Sequence, residues 1–298
     1  MSKITGYPSA RTPAQPAAPR RGTEPRMRKA PALSRLIAPM LAVGIVLSGC
    51  VLVSDAAEPG PEVTAVEQDP SRLRPGSIYR NPASGRKEVI VEDISQTAVL
   101  IGDSQSEPSF GWPRQALKAL GYKVYFCGRG GTGYVASFGK TGNYMDALQR
   151  GDWKLPYGSP PLVLIEGGGN DASKGATDQQ IVRNADRLIA SVRQRYPAAR
   201  IAIVGTLARA ANDGGSRRTE VDALLGTVAQ RHKVPFVSAG DWLTRYDLTG
   251  SLTDRVHLNR QGHNALGLVL AQRLRSYGLS ATEPAAVPDT SPRSLHRR

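Results

Sequence analysis

At 298 residues the chain is long enough for one large domain or two small ones, and its formal charge of +14 invites a nucleic-acid reading. The placement of the charge excludes that reading. Residues 1–36 hold eight Lys and Arg against the single acid Glu24, which is half of the excess, and the remainder is scattered with no basic stripe interleaved with aromatics.

Leu36 to Leu47 is largely apolar, and its length of about 12 residues suits a signal-peptide core better than the roughly 20 needed to span a bilayer. Extension of the run to Val53 keeps an uncleaved membrane anchor as the alternative. Leu47-Ser48-Gly49-Cys50 resembles a bacterial lipobox, which implies that Cys50 is lipidated and becomes the mature N-terminus. Residues 1–26 make an unusually long preface, and Met27-Arg28-Lys29 would begin a leader of ordinary length, so Met27 is a candidate start. The expected organisation is a leader over 1–49, a lipid-anchored tether over 50–92 and the main folded domain over 93–280. A Pro-, Ser- and Arg-rich disordered tail follows over 281–298. Such a protein is exported and held at the outer face of the cell membrane. With Cys50 lipidated, Cys127 is left as a small buried residue in a strand, and no disulfide framework is possible.

Within the domain, Lys87 to Glu92 reads as a short edge strand. Val99-Leu100-Ile101 is an apolar run that stops at Gly102-Asp103-Ser104, a pattern that holds a serine hydroxyl at the carboxyl edge of a sheet. Pro113 opens a helix carrying Leu117 and Leu120, Gly121 closes it, and Lys123 to Cys127 is the next strand. Gly128 to Gly133 then fits G-x-G-x-x-G and raises a dinucleotide-binding alternative. That fingerprint should open the first βαβ unit and lead straight into a helix. Here it leads into residues 134–160, a long loop rich in Gly, Pro and aromatics. Tyr134, Phe138, Tyr144, Trp153 and Tyr157 in this loop either pack an irregular segment or form a platform for a sugar ring or another bulky substrate part.

Leu162 to Ile165 is a strand ending in Gly167-Gly168-Gly169-Asn170-Asp171. Thr177 with Gln180 forms a capping box, and Ile181, Ala185, Leu188, Ile189 and Val192 give one apolar helical face. Ile201–Val204 and Pro235–Ser238 are strands, with helices marked by Val221 to Val228 and Ala265 to Leu274. Strands alternating with amphipathic helices imply a parallel sheet covered on both faces, a three-layer α/β/α sandwich.

Asp254 and His257, three residues apart, let the carboxylate meet one imidazole nitrogen while the other faces Ser104. The Asn170 amide can donate to a developing oxyanion. Asp103 reads as structural, and Asp171 as a brace for the Asn170 turn. His263 can at most line the site, and Asp254, His257 and His263 offer no metal-ligand spacing. Ser104, Gly131, Asn170 and His257, in this order, resemble the blocks of the SGNH (GDSL) hydrolase family: Gly-Asp-Ser, a mid-chain glycine, Gly-x-Asn-Asp and a late Asp-x-x-His.

The resemblance implies a flavodoxin-like fold and an acyl-enzyme mechanism without cofactor or metal. Ser104 is then the nucleophile, His257 the base and Asp254 its partner. The N–H groups of Ser104 and Gly131 with the Asn170 amide hold the oxyanion. The family often has Asn five residues before the glycine, where this chain has Phe126, and that leaves Gly130, Gly131 and Gly133 open as the donor. The expected activity is hydrolysis of carboxylic O-acyl esters of small molecules, glycans or lipids by a monomer that does not bind nucleic acid. The alternatives are acyl transfer to a carbohydrate or lipid acceptor, and non-catalytic binding in the cell envelope.

Overall fold

The computed structural model describes residues 69–281. The leader, Met27, Cys50, the first part of the tether and all but the first residue of the tail lie outside the described residues. Five parallel strands form the main sheet: β3 (Thr97–Gly102), β4 (Lys123–Gly128), β5 (Leu162–Glu166), β6 (Arg200–Val204) and β7 (Phe236–Val237). Their spatial order is β4-β3-β5-β6-β7, the doubly wound flavodoxin-like order, so the chain reverses its direction of winding beside β3. Every residue of β3 is buried, as the unbroken apolar run required.

Alternate residues of each strand feed opposite layers. Val99, Ile101, Val163 and Ile165 face one layer, made by α4 (Asp178–Arg195) and α5 (Ser216–Arg231) through Ile181, Leu188, Val221 and Leu225. Ala98, Leu100, Leu162 and Leu164 face the other, where α1 (Trp112–Ala119) and α7 (Arg260–Ser276) contribute Trp112, Leu117, Leu266 and Leu270. The architecture is a three-layer α/β/α sandwich. The capping box forms as read, with the Thr177 hydroxyl on the Gln180 N–H and the Gln180 side chain returned to the Thr177 N–H.

Two stretches differ from the sequence reading. Residues 69–92, expected as tether with a strand at the sheet edge, instead carry a separate hairpin of β1 (Ile78–Arg80) and β2 (Lys87–Val89). Pro75 before β1 and Pro82 between the strands sit in turns, where a fixed φ is useful. The hairpin is docked on the domain. Val89 N–H donates to the Leu155 carbonyl at 3.0 Å. Buried Glu88 pairs with Arg195 of α4.

The 134–160 segment is the second. It contains a helix, α2 (Tyr144–Arg150), capped by the Asn143 side chain. Tyr134 and Tyr144 are fully buried and meet edge to face at 5.4 Å, so these aromatics pack the layer rather than face a ligand. Phe138 alone among the loop's five aromatics is exposed.

Candidate active site

Ser104 lies in the tight turn that ends β3. The Ser106 and Glu107 N–H groups both donate to the Asp103 carbonyl, at 3.0 and 2.9 Å, which bends the chain sharply after the strand. Gly102 makes this bend possible, because a Cβ there would sit 2.5 Å from the Ser106 hydroxyl. Ser104 is left half-buried at the carboxyl edge of β3, beside β5.

The Asp254–His257 segment is a turn built by its own aspartate. Asp254 Oδ1 accepts from the N–H groups of Val256 and His257, at 2.7 and 2.8 Å, and Oδ2 meets His257 Nδ1 at 2.7 Å. On the far side of the ring, His257 Nε2 stands 3.0 Å from Ser104 Oγ. The hydrogen bond with His257 is the main reason that the Asp254 carboxyl is held well below the usual carboxylate range, and the two backbone donors add to it. The loop is fastened to its neighbours at several points. Thr253 N–H donates to the His257 carbonyl at 2.8 Å, and Asn259 caps α7. Gln105, next to the serine, donates its amide to the Val256 carbonyl at 2.8 Å and accepts from Trp112 Nε1 at 3.1 Å. One side chain thus ties the serine turn to the histidine loop.

The glycines left open by the sequence are separated by what their N–H groups do. Gly130 N–H donates to the Glu107 carboxylate at 2.9 Å, and Gly133 N–H donates to the Ala136 carbonyl at 2.9 Å. The N–H groups of Gly131 and Ser104 have no acceptor among the described residues. Gly131 has φ +81°, and a Cβ there would meet the Phe138 ring at 2.9 Å, so the position takes only glycine without strain.

Asn170 reaches the same corner from α3 (Gly169–Ser173), the short helix that follows β5, but its amide is not idle. Nδ2 donates to Asp103 Oδ2 at 3.0 Å and to the Thr132 carbonyl at 2.9 Å. Asp103 is the structural residue expected, since it also accepts the Gln105 N–H at 2.9 Å. Asp171 is a brace, though of a different segment: its carboxylate accepts from the N–H groups of Tyr134, Val135 and Ala136. It fastens the chain beyond the glycines rather than the Asn170 turn.

Beneath these groups lies a charge cluster that sequence reading missed. Glu166, the last residue of β5, is buried and accepts from the Ser106 hydroxyl at 2.7 Å. Burial raises its carboxyl far above the usual range, and the Asp103 charge adds to the shift. Burial likewise raises Asp103. Arg218 of α5 supplies the nearby positive charge and donates to the carbonyls of Leu207 and Gly169, at 3.0 and 3.2 Å. An acid at the end of an apolar strand is the one signal in the sequence that could have pointed to Glu166. His263 is buried with Nδ1 accepting the Trp112 N–H at 3.2 Å, so it supports α1 rather than the reacting groups. Among the described residues no cluster of His, Cys, Asp or Glu has the makings of a metal centre.

A family model described as the GDSL-like lipase/acylhydrolase family matches residues 95–265, over half of the 298. The chain belongs to the GDSL-like lipase/acylhydrolase family. It is a family of ester-hydrolysing enzymes, and its matched span runs from the strand before Ser104 into α7. The chain is similar to a multidomain esterase of Ruminococcus flavefaciens, 25% identical over 203 residues, which is 65% of this chain and 26% of the relative. It therefore spans about a quarter of that relative's length. Among solved structures it resembles an active-site mutant of a family two carbohydrate esterase from Clostridium thermocellum, with a TM-score of 0.50 and 16% identity over 65% of this chain and 68% of that one. A family two carbohydrate esterase from Cellvibrio japonicus aligns with a TM-score of 0.49 and 17% identity, over 64% of each chain. The first of these likenesses shows a shared fold.

Proposed function

We propose that this GDSL-family chain is a serine esterase that hydrolyses carboxylic O-acyl esters through an acyl-enzyme. The observation that carries the reading is the line from Asp254 through His257 to Ser104, with contacts of 2.7 and 3.0 Å. His257 Nε2 takes the hydroxyl proton as Ser104 Oγ attacks the ester carbonyl. Asp254 holds the hydrogen on Nδ1 and, kept ionised by its three donors, stabilises the imidazolium. The carbonyl oxygen becomes an oxyanion, met by the unengaged N–H groups of Ser104 and Gly131. Asn170 joins by exchanging its bond to the neutral Thr132 carbonyl for one to the charged oxyanion, while its bond to Asp103 holds the amide in place. His257 then protonates the leaving alcohol, and water, activated by the same imidazole, releases the acid from Ser104.

The half-exposed serine and histidine leave the reacting atoms open to a bulky alcohol part. That favours O-acyl groups carried on a glycan, the substrate class named in the carbohydrate esterase relatives. The leader and the Leu47–Cys50 stretch support export and a lipid anchor on Cys50. Release of p-nitrophenol from esters of graded acyl length, and of acetate from acetylated xylan, tests the activity. Activity in the unaltered chain and its loss in Ser104→Ala support the reading; equal rates in the two overturn it. Cys50→Ala should abolish incorporation of a labelled fatty acid in a bacterium that processes lipoproteins, and retained label would overturn the anchor.

A further inference from the structure

A groove of about 450 Å³ lies between the β1–β2 hairpin and the end of α2, away from Ser104. Its walls carry Arg80, Arg86, Lys87, Arg150 and Lys154, with Trp153 among them. Only Arg150 has a carboxylate partner, Asp152; the other four cations have none among the described residues. Glu88 also lines the groove, but its carboxylate is already taken by Arg195 and by the Asn81 amide. Arg80 and Lys87 stand directly opposite each other in the hairpin register. Like charges at facing positions of an antiparallel pair repel, and the next residue, Arg86, adds a third. A hairpin that keeps this arrangement without a neutralising acid is built to receive anionic groups from outside.

We infer that this groove binds a segment of an acidic polysaccharide, with its carboxylates on Arg80, Arg86, Lys87 and Lys154. The groove's volume falls within the range of small-ligand sites, about 300–1,000 Å³, which suits a short run of sugar rings. Its concavity recedes from a flat bilayer surface. Trp153 is half-buried and packs on the core, so the groove lacks the succession of stacking aromatics that track a single nucleic-acid strand. The groove is also joined to the serine site by one stretch of chain. Arg150 donates to the Lys140 carbonyl, Phe138 pairs with Thr141, and the Phe138 ring lies against Gly131. Binding does not rest on ester hydrolysis and is read without turnover.

The test is affinity electrophoresis of the 298-residue chain through gels containing polygalacturonate, neutral xylan or no polymer, with retention on immobilised oligo-dT and on phosphatidylglycerol vesicles measured alongside. The expected result is retardation by polygalacturonate, relieved by salt, and none by xylan. The Arg86→Glu/Lys87→Glu variant should bind polygalacturonate about tenfold more weakly, because like charge then faces the ligand. Its hydrolysis of p-nitrophenyl acetate and its thermal midpoint should match the unaltered chain. Should that variant fail to fold, Lys154→Gln serves in its place, with a smaller loss expected. Undiminished binding by the folded variant, equal retardation by xylan, or retention by oligo-dT or the vesicles with none by polygalacturonate would overturn the inference. Loss of ester hydrolysis in the unaltered chain would count against the esterase reading alone.

Discussion

Asn170 is where the geometry makes the sharpest demand. Its amide serves buried Asp103 and the Thr132 carbonyl, at 3.0 and 2.9 Å, yet the proposed mechanism also needs it at the oxyanion. Removing a donor from an oxyanion hole typically costs about 2.7–4 kcal/mol of transition-state stabilisation. Here the donor must first give up its bond to Thr132, worth about 1 kcal/mol net, so the loss on Asn170→Ala shrinks to about 2–3 kcal/mol. That corresponds to a fall of about 30- to 150-fold in kcat with KM little changed. The same substitution deprives the Asp103 carboxylate of a donor, and a hydrogen bond to a charged group contributes about 1.5–3 kcal/mol to stability. Both numbers come from one variant: kcat and KM with p-nitrophenyl acetate, and the urea midpoint with its slope. A kcat within threefold of the unaltered chain, with stability lowered as stated, would make Asn170 a brace for Asp103 and refute its catalytic part.

The other predictions use different parts of the chain. Asp254→Asn should keep the two backbone bonds through its carbonyl oxygen and turn its amide toward His257. The ring is then driven into the tautomer that cannot accept the serine proton, and kcat should fall roughly 10²–10³-fold, less than for a buried aspartate because water reaches the turn; an unchanged rate would leave a Ser–His dyad. Glu88→Ala should lower stability by about 3 kcal/mol in urea unfolding, since Arg195 loses the partner of a buried pair, while hydrolysis stays intact; an unchanged midpoint would show that the hairpin docks without it. Burial lowers His263 to about 4, with the neighbouring charges of His257 and Arg260 adding to the shift. The unfolded chain therefore takes up a proton below about 6.5 that the folded one refuses until about 4, and stability is lost as pH falls through that window. Between pH 7 and pH 5 the unaltered chain should lose about 2 kcal/mol more than His263→Gln, and parallel urea profiles would refute this.

The line of Asp254, His257 and Ser104 was legible in the sequence because each of the three declares itself locally. Ser104 ends an apolar strand, and Asp254 and His257 are close enough in the chain to share one turn. The sheet was legible for a similar reason, since strands buried on both faces read as unbroken apolar runs between amphipathic helices. Glu166, Arg218 and Gln105 were not. Their partners come from distant parts of the chain, and an isolated Glu, Arg or Gln carries no sign of burial. The Gly130–Gly133 choice was equally hidden, because it depends on which N–H groups the fold has already used. The hairpin at 78–89 was missed because its strands are three residues each and Pro75 and Pro82 mark a turn and a tether alike; the burial of Tyr79 and Glu88 separates the two.

The central claim is that Ser104 is the attacking atom's residue and that His257 activates it. A fluorophosphonate probe reports this directly, because it labels a serine only where a base and an oxyanion pocket act on it. The unaltered chain should gain one adduct, mapped by peptide mass to the segment around Ser104, with no label in Ser104→Ala and strongly slowed labelling in His257→Ala. An adduct on another serine, such as Ser106, or full labelling of Ser104→Ala, would contradict the account.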